Sequence, residues 1–433
     1  METIRRAVID VGTNSVKLLV ADVAGHEVQP VCEQSKQTRL GHGFYETHRL
    51  RAEAIAATAN AVAAFAAIAR EAQAASVRVI ATSAAREAAN REELTSAIEY
   101  AAGLKVEVIS GDQEADWGFK GVTTDPQLAQ APLLLLDVGG GSTQFTLGSE
   151  GHTRFRYSFP IGSVRLLETI PCSDPPKRTE LAACRQWLKD FLRKEVRPKL
   201  VQELGNSESG LETEQSLRNP NSGKQGDPAD DPSPALKGTL PMNSCEIDGP
   251  LSLSLSPSKG EKVPKAGEGA VQGSKARPSI RGILSPSEGE RDGMRGLAAV
   301  PVPAPVHAFD SGFRSLLTSA ATGTEGGVQL VGVGGAATIL GCMEAKLQAF
   351  DRARIEAICL SAERVSWHLQ RLWSLPLEAR KETIGLPKNR ADVILMGVAV
   401  YQEVMEEFGF RELRVSTRGL RFAAVMEEEA KAE

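Results

Sequence analysis

Two short stretches of this chain carry residue types suited to gripping phosphate. The first is Asp10-Val11-Gly12-Thr13-Asn14-Ser15, where an apolar run ends in a carboxylate and a tight polar turn. Gly12 lets a ligand approach the backbone closely, and the N–H groups of Thr13, Asn14 and Ser15 can cradle phosphate oxygens. Asp10 offers the hard oxygen that Mg²⁺ prefers, reached through water. A plain type I′ hairpin with a capping Asp accounts for this turn equally well. The second stretch runs Asp137-Val138-Gly139-Gly140-Gly141-Ser142-Thr143, directly after the apolar run Leu133–Leu136. Three consecutive glycines weaken a strand end, and close backbone approach to a ligand is the physical reason to keep them. Asp137 at the strand tip is a second metal-binding candidate. Asp137 follows Asp10 by 127 positions. Two near-copies of one turn at that spacing imply paired domains facing a shared cleft.

The elements that must hold these turns are readable from periodicity. Ala7–Val11 and Lys17–Asp22 read as the strands of a hairpin around the first turn. Ala52–Ala75 is Ala-rich, with Ile55, Val62, Phe65 and Ile68 near one helical face. Val77–Ala81 reads as a strand, Asn90–Tyr100 as a helix, Val106–Ile109 as a strand and Glu114–Val122 as a helix. Leu133–Asp137 is a buried strand, and Val328–Val333 is a strand leading to Gly334-Gly335 with a helical continuation. Ala391–Glu407 and Gly419–Ala432 read as closing helices. Strands alternating with helices, with glycines at strand ends, define an α/β protein.

Composition removes several function classes. A formal net charge of -5 argues against a nucleic-acid partner, since counterion release needs a basic face. No run of 18 apolar residues occurs, which argues against a membrane span, and the start METIRRAVIDVGTNSV lacks the apolar core of a signal peptide. Six scattered cysteines without a CxxC pair suit free thiols in a reducing cytoplasm. The six histidines show no HxxxH or HxH spacing for a metal, and no P-loop signature is present.

Residues 205–300 stand apart. They hold 14 Gly, 10 Pro and 14 Ser, and no aromatic residue falls between Phe191 and Phe309. Such a tract cannot bury enough apolar area to offset its conformational entropy, so a disordered low-complexity insert is expected. It contains a repeated heptad, LSPSKGE at 255–261 and LSPSEGE at 284–290. Two Ser-Pro sites, Ser256 and Ser285, leave a regulatory tail as the alternative.

Beyond these residue-level readings, the chain resembles the exopolyphosphatase / guanosine pentaphosphate phosphohydrolase (Ppx/GppA) family of the actin-like ATPase superfamily. The likeness is carried by IDVGTNSVKLLV at 9–20, VIATSAAREAANREE at 79–93, VISGDQEA at 108–115, LDVGGGST at 136–143, FPIGSVRL at 159–166, RADVILMGVAV at 390–400 and VSTRGLR at 415–421. It implies two actin-like (ribonuclease H-like) domains with an interdomain cleft: residues 1–127 as domain I, and 128–204 with 301–433 as domain II. The C-terminal helix is then a candidate to return to domain I. Residue by residue, Glu114 matches the family's catalytic glutamate and Arg86 an arginine facing the cleft. Gly12, Thr13, Asn14, Ser15, Gly139, Gly140, Gly141 and Ser142 take phosphate contacts, and Asp137 the metal, with Asp10 beside it. The implied activity is release of phosphate from inorganic polyphosphate or guanosine pentaphosphate with Mg²⁺ or Mn²⁺, in the cytoplasm, with a homodimer as a candidate assembly. A non-catalytic polyphosphate or nucleotide sensor and an actin-like ATPase or kinase are the competing readings, the latter through the Gly332–Thr338 turn. The chain departs from the family at Gln144, where Glu is usual, at Asp116, where Arg is usual, and at Thr417, where Asp is usual.

The tract at 205–300 generates one prediction. Its deletion across a short Gly/Ser bridge should leave the thermal melt and any activity nearly unchanged, because no core residue is lost. A deletion variant that fails to fold, read by circular dichroism, would make the tract structural.

Overall fold

A computed structural model describes residues 2–170, 172–202 and 327–427. The 205–300 tract, with its expected disorder and its repeated heptad, lies outside the described residues, as does Cys245. The other five cysteines are unpaired thiols.

The first half is a five-stranded sheet built from β1 (Ile4–Val11), β2 (Ser15–Ala24), β3 (Glu27–Gln37), β4 (Ser76–Ala81) and β5 (Val106–Val108), in the order β3-β2-β1-β4-β5. The second half is a six-stranded sheet from β6 (Leu133–Val138), β7 (Thr143–Ser149), β8 (His152–Phe159), β9 (Gln329–Val333), β10 (Cys359–Ser361) and β11 (Glu412–Val415), in the order β10-β11-β9-β6-β7-β8. Both sheets repeat one plan. A central strand pairs antiparallel with the next, which pairs antiparallel with a third, and two parallel strands flank its other edge. Two mixed sheets with helices against them give the two-domain α/β architecture that the sequence suggests.

Alternation along the central strands decides what each face carries. On β1, Ala7, Ile9 and Val11 enter a core shared with the Ala52–Glu71 helix, while Val8 turns the other way. On β6, Leu134, Leu136 and Val138 join the large second core, while Leu133 and Leu135 turn the other way. By the same period, Asp10 follows Val8 and Asp137 follows Leu135. Both carboxylates therefore stand on the faces opposite the main cores.

Those two faces share one helix, Gly111–Val122. Its Trp117 packs with Val8, Leu19 and Ile80 of the first sheet, together with Leu420, Phe422 and Val425 of the Leu420–Met426 helix. Its Phe119 and Val122 pack with Leu133, Leu135, Val331 and Val333 of the second. The chain's last described helix thus covers the first sheet.

Three readings from sequence need correction. The Gly111–Val122 helix begins three residues before Glu114, because Ser110 caps it by accepting the Gln113 N–H at 3.1 Å. Strands β3, β7, β8, β10 and β11 have no counterpart in the sequence reading; β3 and β8 are sheet edges with many exposed polar residues, which hides the period of two, and β10 and β11 are only 3 and 4 residues long. The Ala52–Glu71 helix contains no uninterrupted run of 18 apolar residues, yet it is long and apolar enough to span a bilayer by length and composition. Here its buried Ile55, Val62, Phe65 and Ala66 belong to the first core.

Close packing on the shared helix is testable at two glycines. A Cβ at Gly121 would lie 2.2 Å from the Gly419 carbonyl oxygen, whereas one at Gly118 would make an ordinary 3.5 Å contact with Leu135. Alanine in a helix interior gains up to about 1 kcal/mol over glycine, and overpacking costs about 1–3 kcal/mol. Gly121→Ala should destabilise the protein in urea unfolding, while Gly118→Ala should leave it unchanged or more stable.

Candidate functional site

Both turns close with the same bond: Gly12 N–H donates to Ser15 O at 3.0 Å, and Gly139 N–H donates to Ser142 O at 3.0 Å. They meet in a single pocket lined by Asp10, Gly12, Thr13, Asn14 and Ser15 from the first half and by Asp137, Gly139, Gly140, Gly141 and Ser142 from the second, with Glu114 between them. A Cβ at Gly140 would lie 2.9 Å from Thr13 Cβ, so the two turns touch where glycine alone fits. Arg86 stands in the adjoining pocket, which shares Ser142. From there its Nη1 reaches Glu114 Oε2 at 3.2 Å and donates to Ile109 O at 2.9 Å. Every sequence-predicted site residue is therefore at this place, with Arg86 one wall away.

Three carboxylates are buried here with too little compensation. Glu114 is pushed up to about 8, chiefly by burial, against the pull of Arg86 and with a further push from Asp137 and Asp10. Asp137 is pushed up to about 6, again chiefly by burial, with Lys17 lowering it and Asp10 raising it. Burial also raises Asp10, and its Oδ1 has no hydrogen-bond partner.

Two cations in the pocket were missed from sequence. Lys17 pairs with Asp10 across β1 and β2, and burial lowers its pKa. Its signal was available: seven residues after Asp10, across a four-residue turn, lies the same sheet face. Arg390 precedes the Ile394–Phe408 helix, donates to Ser15 Oγ, and is brought down to about 10 by burial. Nothing in its local sequence distinguishes it from a solvated arginine. The other departures sort themselves by place. Gln144 faces Asp137 across β6 and β7, as Lys17 faces Asp10. Its Nε2 donates to Ser142 Oγ at 2.9 Å and Ser158 Oγ at 3.0 Å, leaving Oε1 buried without a partner. Asp116 pairs outside the pocket with Lys120 and Arg156, and Thr417 bonds Glu356.

A divalent cation is compatible with this donor set. Asp10 and Asp137 supply two hard carboxylates whose ionised forms burial disfavours, and Asp10 Oδ1 is an orphaned buried acceptor. Mg²⁺ is commonly held by one or two carboxylates plus water and substrate phosphates rather than by a full protein cage. Among the described residues, no group of three or more His, Cys, Asp or Glu is arranged to hold a metal, so a closed structural site is absent there.

The buried carboxylates predict a pH dependence of stability in metal-free buffer. A carboxyl whose pKa is raised on folding holds its proton more tightly in the folded state, so stability declines as pH climbs from the ordinary 4.5 toward about 8. Urea unfolding should show that decline between pH 5 and pH 8, and Glu114→Gln should make it shallower. A profile identical in the variant would mean Glu114 titrates normally.

Comparison with known proteins points to one family. Residues 19–225 match the model of the Ppx/GppA phosphatase family. Exopolyphosphatase 2 of Mycobacterium tuberculosis is 39% identical over 206 residues, covering 46% of this chain and 64% of its own length. Exopolyphosphatase 1 of Mycobacterium bovis is 30% identical over 186 residues, covering 42% of this chain and 54% of its own length. The matched part thus spans less than two thirds of either relative. Among solved structures, the Aquifex aeolicus member of the Ppx/GppA family superposes with a TM-score of 0.58 at 20% identity, covering 98% of this chain and 97% of that one. An exopolyphosphatase from Cytophaga hutchinsonii gives a TM-score of 0.62 at 18% identity, covering 97% and 96%. At these identities the structural likeness concerns the fold.

Proposed function

From the premise that this chain resembles the Ppx/GppA family in both sequence and fold, we propose that it hydrolyses terminal phosphoanhydride bonds, with inorganic polyphosphate as first substrate and guanosine pentaphosphate as second. The observation that carries the reading is Glu114: a buried carboxylate, held beside Arg86, at the meeting point of two glycine-bearing turns. Such a group serves as general base once deprotonated, and its raised pKa places it near working pH.

The reaction is an in-line displacement. Glu114 takes a proton from water, the water oxygen forms a bond to the terminal phosphorus, and the bridging P–O bond breaks. Orthophosphate leaves, and the shortened chain keeps the bridging oxygen. Catalysis then rests on positioning and charge. Backbone N–H groups of the Gly12–Ser15 and Gly139–Ser142 turns hold the phosphoryl oxygens. Lys17 and Arg390 neutralise the charge of the chain, and Arg86 keeps Glu114 in place. Asp10 and Asp137 would hold Mg²⁺ or Mn²⁺, which supplies further neutralisation of phosphate charge when bound.

Purified full-length protein given long-chain polyphosphate and Mg²⁺ should release orthophosphate. Glu114→Gln should slow that release about 10²–10⁴-fold while sparing polyphosphate binding. Binding without release in the unaltered protein would favour the sensor reading, to which the neutral Gln144 beside Asp137 also points. Nucleoside triphosphate consumption in preference to polyphosphate would favour an ATPase.

A further inference from the structure

The helix Ser163–Thr169 is bolted to the second glycine turn and also reaches the first half. Its opening residues occupy the turn's carbonyls: Ser163 N–H donates to Gly139 O at 2.9 Å, Val164 N–H to Gly140 O at 2.8 Å and Arg165 N–H to Gly140 O at 3.1 Å. Arg165 Nε takes the remaining one, Gly141 O, at 2.7 Å. The same guanidinium then crosses to the first half. Its Nη2 donates to both Glu87 oxygens, at 2.7 and 2.6 Å, and it lies over the Tyr45 ring at 4.1 Å from the centroid. Three residues further on, on the same side of the helix, Glu168 accepts N–H groups from Gly43 at 2.6 Å and Tyr45 at 3.3 Å.

The first half meets this arrangement with hydroxyl groups. A Cβ at Gly141 would lie 2.4 Å from Ser83 Oγ, 2.4 Å from Tyr45 Oη and 2.9 Å from Thr13 Oγ1. Ser83 in turn donates to Glu87 at 2.8 Å. The Tyr45 hydroxyl is buried beside Gly141, among the hydroxyls of Ser83 and Thr13.

We propose that Arg165, with Glu87, Tyr45 and Glu168, forms a clasp that holds the two halves closed over the pocket and fixes the Gly139–Gly141 turn for phosphate. Arg165 is thereby a positioning residue: it sets carbonyl Gly141 and the closure between halves rather than touching the reacting atoms. The Arg165–Glu87 pair suits that task better than an open surface pair, since the Arg165 side chain is only 16% exposed. Losing the clasp lowers the closed fraction, and apparent affinity falls with it.

The clasp itself is tested without reference to activity; only the kinetic arm rests on the phosphohydrolase reading. Hydrogen exchange of the full chain, without ligand, reads the Gly43 and Tyr45 amides that Glu168 protects. Arg165→Ala should speed exchange in the 41–47 peptide at least about tenfold while leaving the β1 and β6 peptides unchanged. Glu87→Gln breaks the same pair from the other side and serves if Arg165→Ala does not fold. With polyphosphate, Arg165→Ala should raise KM more than it lowers kcat. Arg165→Lys keeps a charge for Glu87 but loses the Nε bond to Gly141, so it should restore protection at 41–47 while kcat stays reduced. Unchanged exchange at 41–47 in both Arg165→Ala and Glu87→Gln overturns the clasp, as does acceleration spread equally over β1 and β6. If the unaltered protein releases no phosphate, the hydrolase reading falls alone, and the exchange result still decides the clasp.

Discussion

Burying Asp10, Asp137 and Glu114 in one pocket is the constraint on which the rest of this structure turns. Each carboxylate loses water, and each stands near another negative charge. Such a site is tolerable only because the surrounding elements are over-determined. The Gly111–Val122 helix that carries Glu114 is packed on both sides, by Trp117 toward one sheet and by Phe119 and Val122 toward the other. Lys17, Arg421 and Arg86 supply part of the missing positive charge, and a phosphate substrate with its cation would redistribute the remainder. The stability forgone here is stored in the arrangement that makes the pocket chemically useful.

Strand alternation does the placing. With Val8 and Leu135 turned toward the shared helix, period two leaves Asp10 and Asp137 no other face. The hairpin registers then bring Lys17 opposite Asp10 and Gln144 opposite Asp137. Equivalent positions in the two halves thus hold a cation and a neutral amide. The pocket is built from a repeated plan yet is electrostatically lopsided, with Glu114 and Arg86 adjoining the amide side through Ser142.

Much of this was legible in the chain. Two Asp-x-Gly turns after apolar runs mark the strand tips, the first hairpin and most of the pocket, because those signals are local. The helix at Glu114 was legible as well, although its true start depends on the Ser110 cap. Arg390 was not legible as a site residue, since only the three-dimensional approach to Ser15 separates it from an ordinary surface arginine. Tyr45 and Arg165 were hidden for the same reason: a ring and a guanidinium far apart in sequence acquire meaning only when stacked. Strands β3 and β8 were obscured by their exposure as edges, where polar residues interrupt the alternation.

The cover on the first sheet has a consequence for how the chain is made. Strands β1 to β5 are complete by Val108, so this sheet can pair early during synthesis. Its face carrying Val8, Leu19, Ala21 and Ile80 receives Trp117 soon afterwards, but Leu420, Phe422 and Val425 only after β6 to β11 have been made. Likewise β6 lacks its parallel neighbour β9 until the whole 203–326 stretch has been translated. A nascent chain therefore holds a half-covered apolar sheet face and an unpaired strand edge until those later segments are made, the circumstance in which partly built proteins aggregate or recruit chaperones.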